Sequence, residues 1–121
     1  MATPTIAGAV PVNSATALDG DYALVTWTLT TADPTGVAVG YPDYADRTVE
    51  VHGTFGGATV EVQGSLDGGT TWVVLTDPQG NAISKVAAFL ESVSEAVPKI
   101  RVVLTVVGVG ASLTATLYVR K

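Results

Sequence analysis

Apolar and polar residues alternate through much of this chain. Between residues 22 and 30, Ala23, Val25, Trp27 and Leu29 fall on one parity and Thr26, Thr28 and Thr30 on the other. That is the period of a strand with one face buried and one face open to water. The pattern runs again through residues 47–55, where Val49, Val51, Gly53 and Phe55 alternate with Thr48, Glu50, His52 and Thr54. It resumes in residues 58–65 after Gly56-Gly57. A two-residue glycine link between alternating segments predicts a β-hairpin, with Phe55 opposite Ala58, Val51 opposite Val62 and His52 opposite Glu61. This register puts every apolar residue of both segments on one face.

Further along, residues 72–76 (WVVLT) predict a short strand, closed at Asp77-Pro78-Gln79-Gly80 by a type I turn with proline in its second position. In residues 83–95, Val86, Phe89, Leu90 and Val93 sit at helical spacing. The reading there is a short strand followed by one or two helical turns, limited by Pro98. Residues 100–107 and 112–120 predict a terminal hairpin around Gly108-Val109-Gly110, its first strand apolar on both faces and therefore central or covered on both sides. Residues 31–46, rich in Pro, Gly and Asp, predict a long ordered loop. Residues 1–17 are small and proline-interrupted and predict an extended N-terminal arm whose order depends on a neighbour. The expected fold is all-β: a compact antiparallel β-sandwich or jelly-roll-like barrel with one short helix, formed by residues 18–121 as a single domain.

Composition sharpens the picture of the surface. The chain is 47% hydrophobic and only 14% charged, against roughly 25% charged in an average domain, and its mean hydropathy is +0.40. Apolar area covered by another protein is the expected consequence. The longest apolar run, residues 102–109, is far short of the ~20 residues of a membrane span. No membrane partner is expected, and the chain is expected to be soluble. The N-terminus has no basic region and is broken by Pro4 and Pro11, unlike a signal peptide. A net charge of −5 with three scattered Arg and three scattered Lys argues against nucleic acid as a partner. With no cysteine, disulfides and thiolate metal sites are out of reach, and no cofactor is expected.

Few residues suggest chemistry. Ser65, Asp67, Gly69, Thr71 and Trp72 match the Asp-box pattern S-x-D-x-G-x-T-W found in sialidases and other β proteins. The physics of such a turn is local: Asp67 accepts backbone N–H groups, Gly69 supplies positive φ and Trp72 packs over the turn. A structural role is therefore expected. The same stretch also resembles a turn of discoidin-type, galactose-binding-like sandwiches, which supplies a carbohydrate-binding alternative. His52 is the only imidazole, with Glu61 as its expected cross-strand partner; a polar pair rather than a metal or acid–base site follows. No serine sits in a G-x-S-x-G elbow, so the chain is not expected to be an enzyme. Tyr41, Asp43, Tyr44 and Asp46 form a polar-aromatic stretch suited to a partner-contact loop.

A longer pattern joins these pieces: residues 44–49 (YADRTV), 53–60 (GTFGGATV), 64–68 (GSLDG) and 76–82 (TDPQGNA). It resembles a family of small tailed-phage virion proteins of the capsid decoration, or cement, type, over roughly residues 26–103. Residues 100–102 (IRV) depart from it, since the family commonly has an Arg-Pro pair there. The resemblance implies a homotrimer that binds the major capsid protein on the outer surface of the virion, made in the host cytoplasm. It also casts Thr3, Pro4, Ile6, Val10 and Val12 of the arm as capsid contacts. The net acidity is consistent with an outer position, away from packaged DNA. A carbohydrate-binding β-sandwich on a phage tail or fibre is the alternative.

Overall fold

The computed structural model describes residues 1–9, 22–41 and 44–120. The described residues are all-β and antiparallel, and nine strands among them fall into two sheets. They are β1 (Thr5–Ala9), β2 (Tyr22–Thr30), β3 (Asp46–Thr54), β4 (Thr59–Ser65), β5 (Val73–Val74), β6 (Ser84–Lys85), β7 (Phe89–Ser92), β8 (Lys99–Val106) and β9 (Ser112–Arg120). The first sheet has the order β1-β2-β9-β3-β7. In the second, β4 pairs along its length with β8, and the Val62 N–H and carbonyl turn the other way, toward Leu75 and Ile83 beside β5 and β6. The expected long loop continues this sheet: residues 34–39 run along the far edge of β8, with Leu104 N–H donating to Pro34 O at 2.8 Å and Val39 and Ile100 exchanging bonds at 2.9 Å. β8 is therefore central, which explains why Val102, Val103 and Leu104 are all buried.

The alternating residues of both sheets meet in one core. Val25, Trp27 and Leu29 of β2, Val49 and Val51 of β3 and Leu113, Ala115, Leu117 and Val119 of β9 pack with Val60 and Val62 of β4 and Ile100 and Val102 of β8. Trp27 is fully buried, and its indole N–H donates to Val37 O at 2.9 Å. The residues 34–39 segment thus satisfies the one polar atom of the largest core side chain.

Three sequence expectations are corrected. The first hairpin does not form: β3 pairs with β7 and β9, while β4 pairs with β5, β6 and β8. The turn itself exists, with Ala58 N–H donating to Phe55 O at 2.9 Å and Gly56 and Gly57 at positive φ. Beyond it the strands separate into different sheets. Alternation cannot tell these outcomes apart, because Val51 and Val62 become buried whether they lie side by side in one sheet or face each other across a core. The terminal hairpin fails in the same way, since β8 joins the second sheet and β9 the first. Chain passage between sheets occurs at both glycine turns, and they stack: Val109 N–H donates to Gly56 O at 2.9 Å. Thr31, on the passage from β2 to β8's edge, joins them by accepting from Ala111 N–H at 3.0 Å.

The short helix is also absent among the described residues. Residues 89–92 instead form β7 on the free edge of β3, with Phe89 opposite Val51. Phe89 and Val93 turn inward, while Val86 and Leu90 are left 69% and 65% exposed. Glu91 occupies the inward parity between Phe89 and Val93, and this charged residue disguised a period of two as helical spacing.

The N-terminal residues are tied to the chain's own sheets. Ala2 is buried and bonds both Thr35 O and Val37 N–H, and Thr5–Ala9 pairs with β2. Residues 10–17 of the expected arm lie outside the described residues.

Candidate functional site

Strand register sorts the loops to the two ends of the molecule. Tyr22, Arg120 and Asp46 lie side by side at one end of the first sheet. β4 runs away from the stacked glycine turns and finishes at Ser65, opposite Lys99. Residues 41, 44–45, 66–72 and 93–98 therefore gather at the end remote from those turns.

Arg47 holds this end together. It occupies the inward parity of β3, in phase with Val49 and Val51, and only 3% of it is exposed. Its guanidinium donates to Tyr44 O at 3.1 Å, Val97 O at 2.7 Å and Tyr41 O at 3.0 Å. One side chain thus ties Tyr41, Tyr44 and Val97 to the sheet. Burial lowers its pKa, but guanidinium values start so high that the group stays charged. Sequence reading passed over it; the signal was a lone cation on the apolar parity of an alternating strand.

The Asp67 turn is built from its own hydrogen bonds. Buried Ser65 donates its hydroxyl to Asp67 Oδ1 at 2.7 Å and accepts from Gly69 N–H at 2.9 Å. Asp67 Oδ1 also accepts from Thr70 and Thr71 N–H at 3.1 and 2.8 Å. Gly68 and Gly69 both take positive φ. Trp72 packs beside Gly69, and its other contact is Arg101, whose guanidinium carbon sits 4.1 Å above the ring. Arg101 in turn donates to Gln63 Oε1 at 2.8 and 3.0 Å.

Donation from Thr71 N–H, then from the Ser65 hydroxyl, holds the Asp67 carboxyl well below the usual carboxylate range. Unfolded aspartate titrates near 3.9. Because the folded value is lower, the carboxylate's stabilisation is complete at neutral pH and is lost as pH falls below about 4. Asp67→Asn is expected to lower the melting temperature at pH 7 and to flatten its decline between about pH 4 and 2. Wild-type and variant melts that run parallel through that window would exclude a stabilising role for the charge.

Beside the turn lies a cleft of about 470 Å³ lined by Leu66, Asp67, Val73, Leu75, Glu95 and Val97 over Gly64. Glu95 accepts from Thr76 N–H at 2.8 Å and from the Thr76 hydroxyl. Burial alone would raise the Glu95 pKa, but these bonds outweigh it and the value is lowered. Leu66 is 80% exposed and Val73 59%.

The other sequence candidates disperse. Tyr41 and Tyr44 meet edge to face at 5.4 Å, and both pack against the core. Burial, then Tyr44, raises the Tyr41 pKa. Asp46 turns away to pair with Arg120 at 2.8 Å, and Asp43 lies outside the described residues. Thr3 is exposed, Pro4 half-buried and Ile6 exposed on the edge strand; Val10 and Val12 lie outside the described residues. His52 stands opposite Thr114, not Glu61, and its carboxylate neighbour is Glu50 at 3.9 Å. Among the described residues no three His, Cys, Asp or Glu side chains converge as a metal site would require.

No protein-family model, curated protein or solved structure matches the chain. The end remote from the glycine turns thus combines hydrogen-bonded loops with an apolar cleft that has carboxylates at its wall. The exposed pair Leu66 and Val73 was not legible in sequence, because alternation does not say which turn residues project outward.

Proposed function

We propose that this chain is a structural virion protein that decorates and stabilises the outer surface of a phage capsid by binding major capsid protein subunits, as a homotrimer and without enzymatic activity. We read its two sheets as a β-sandwich of the jelly-roll type. The observation that carries the proposal is the loop end: Leu66 and Val73 are exposed there on a frame pinned by Arg47 and by the Asp67 turn. Rigid apolar contacts lose little conformational entropy on docking, and repeated docking of one small subunit multiplies modest contacts into shell stabilisation. The net charge of −5 supports the outer face of a DNA-filled particle. The sequence pattern from Asp46 through Ala82 supports the same reading by its resemblance to decoration proteins.

Cryo-electron microscopy of particles from the phage that encodes the chain tests this. Density for the β-domain is expected on the outer shell at local three-fold positions. Density at the tail or baseplate, or particles that lack the chain, would overturn the proposal.

A further inference from the structure

The cleft beside the Asp67 turn combines two features that rarely serve the same end, projecting apolar side chains and carboxylates. Leu66 sits between Ser65 and Asp67, whose side chains bind the backbone N–H groups of residues 69, 70 and 71. The turn fixes the backbone on both sides of Leu66, yet Leu66 gains no burial from it. Below, Gly64 forms the floor, where a Cβ would stand 2.6 Å from Val97 Cγ2 and 2.8 Å from Leu75 Cδ2 and would push both side chains aside. Among the described residues the charged groups of the wall are Asp67 and Glu95, with no Lys or Arg lining it. Both carboxylates are held ionised by donors from Ser65, Thr71 and Thr76. The nearby arginines are engaged elsewhere, Arg47 on three carbonyls and Arg101 on Trp72 and Gln63, and Lys99, exposed opposite Ser65, does not line the cleft.

We propose that this cleft is a docking socket for a partner-protein segment in which an apolar side chain is followed directly by Lys or Arg. The apolar side chain covers Leu66, Val73 and Val97, and the cation lies against the carboxylates. An apolar group alone would bring desolvation to Asp67 and Glu95 without compensation, and an acidic segment would be repelled. The volume, about 470 Å³, is that of a site for more than one side chain. The inference rests on the reading that the molecule works by docking, and not on the partner being a capsid.

Methyl NMR on the intact chain tests it, with eight-residue peptides that differ only in a central pair: Leu-Lys, Leu-Arg, Leu-Glu or Ser-Lys. The Leu66, Val73 and Val97 methyls are expected to shift on addition of millimolar Leu-Lys or Leu-Arg peptide. Affinity should fall about tenfold for Leu-Glu and for Ser-Lys, and similarly for Leu66→Ser with the Leu-Lys peptide. Equal binding of all four peptides, or no methyl shift with any of them, overturns the proposal. So do concentration-dependent shifts of the same methyls without peptide, which would assign the cleft to a second copy of the chain. A chain that proves absent from the capsid but still selects Leu-Lys and Leu-Arg would sink the virion reading and leave this one standing.

Discussion

Arg47→Leu is expected to lower stability by about 3–5 kcal/mol, the range for breaking a buried charged interaction and stranding its partners. The guanidinium is bound by the carbonyls of Tyr41, Tyr44 and Val97, and leucine can replace its stem but none of its donors. Against a total of roughly 5–15 kcal/mol for a natural domain, that loss is a large fraction. With a urea slope of roughly 1–3 kcal/mol/M, the unfolding midpoint should drop by about 2 M. Hydrogen exchange in residues 44–45 and 93–97 should accelerate more than in β2 or β9, because those segments lose their shared tie to the sheet. Arg47→Lys keeps the charge but concentrates its donors on one nitrogen in place of a planar fork, so it should recover only part of the loss. A Leu variant within about 0.5 M urea of wild type would show that water replaces the guanidinium at these carbonyls.

At the opposite end, Gly56→Ala is expected to destabilise by about 3 kcal/mol or more, combining the left-handed backbone with a backbone collision. Gly56 has φ +58°, and a Cβ there would fall 2.1 Å from Val109 O in the neighbouring turn. The next residue is the built-in control. Gly57 also has positive φ, at +86°, yet a Cβ would meet nothing within 4 Å. Gly57→Ala should therefore lose only the conformational part, about 1 kcal/mol. Equal losses from the two substitutions, measured by chemical denaturation, would mean that the stacking of the two sheet-to-sheet turns contributes nothing. If Gly56 is much the more sensitive, contact between the turns is part of what keeps β3 and β4 in different sheets.

That separation marks the limit of what alternation can convey. The parities of β2, β3, β4 and β9 were legible residue by residue, and their inward side chains form the core. The pairing partners were not, because burial on one face is the same constraint for adjacent and for facing strands. In residues 83–95, Glu91 broke the apolar parity and left helical spacing as the better local fit, although the open edge of β3 decided the outcome. At the candidate site the Asp67 turn was readable, since its hydrogen bonds span only residues 65–71. Arg47 and Glu95 were not, since the Val97 carbonyl that Arg47 reaches and the Thr76 groups that Glu95 binds lie 50 and 19 residues away along the chain.

By itself the sequence determined a mostly β chain without disulfides, the inward faces of β2, β3, β4 and β9, the places where the backbone must turn through glycine, and a negative net charge. These are local or additive properties, fixed by side-chain period, by the φ range of glycine and by counting charges. Only the tertiary structure decided that the glycine turns carry the chain from one sheet to the other, that Arg47 joins the distant Val97 carbonyl to those of Tyr41 and Tyr44, and that Leu66 and Val73 flank a cleft walled by Asp67 and Glu95. Each of those depends on which strand edge finds which partner, a competition among non-local backbone pairings with nearly equal local energies, settled by the packing of the whole core.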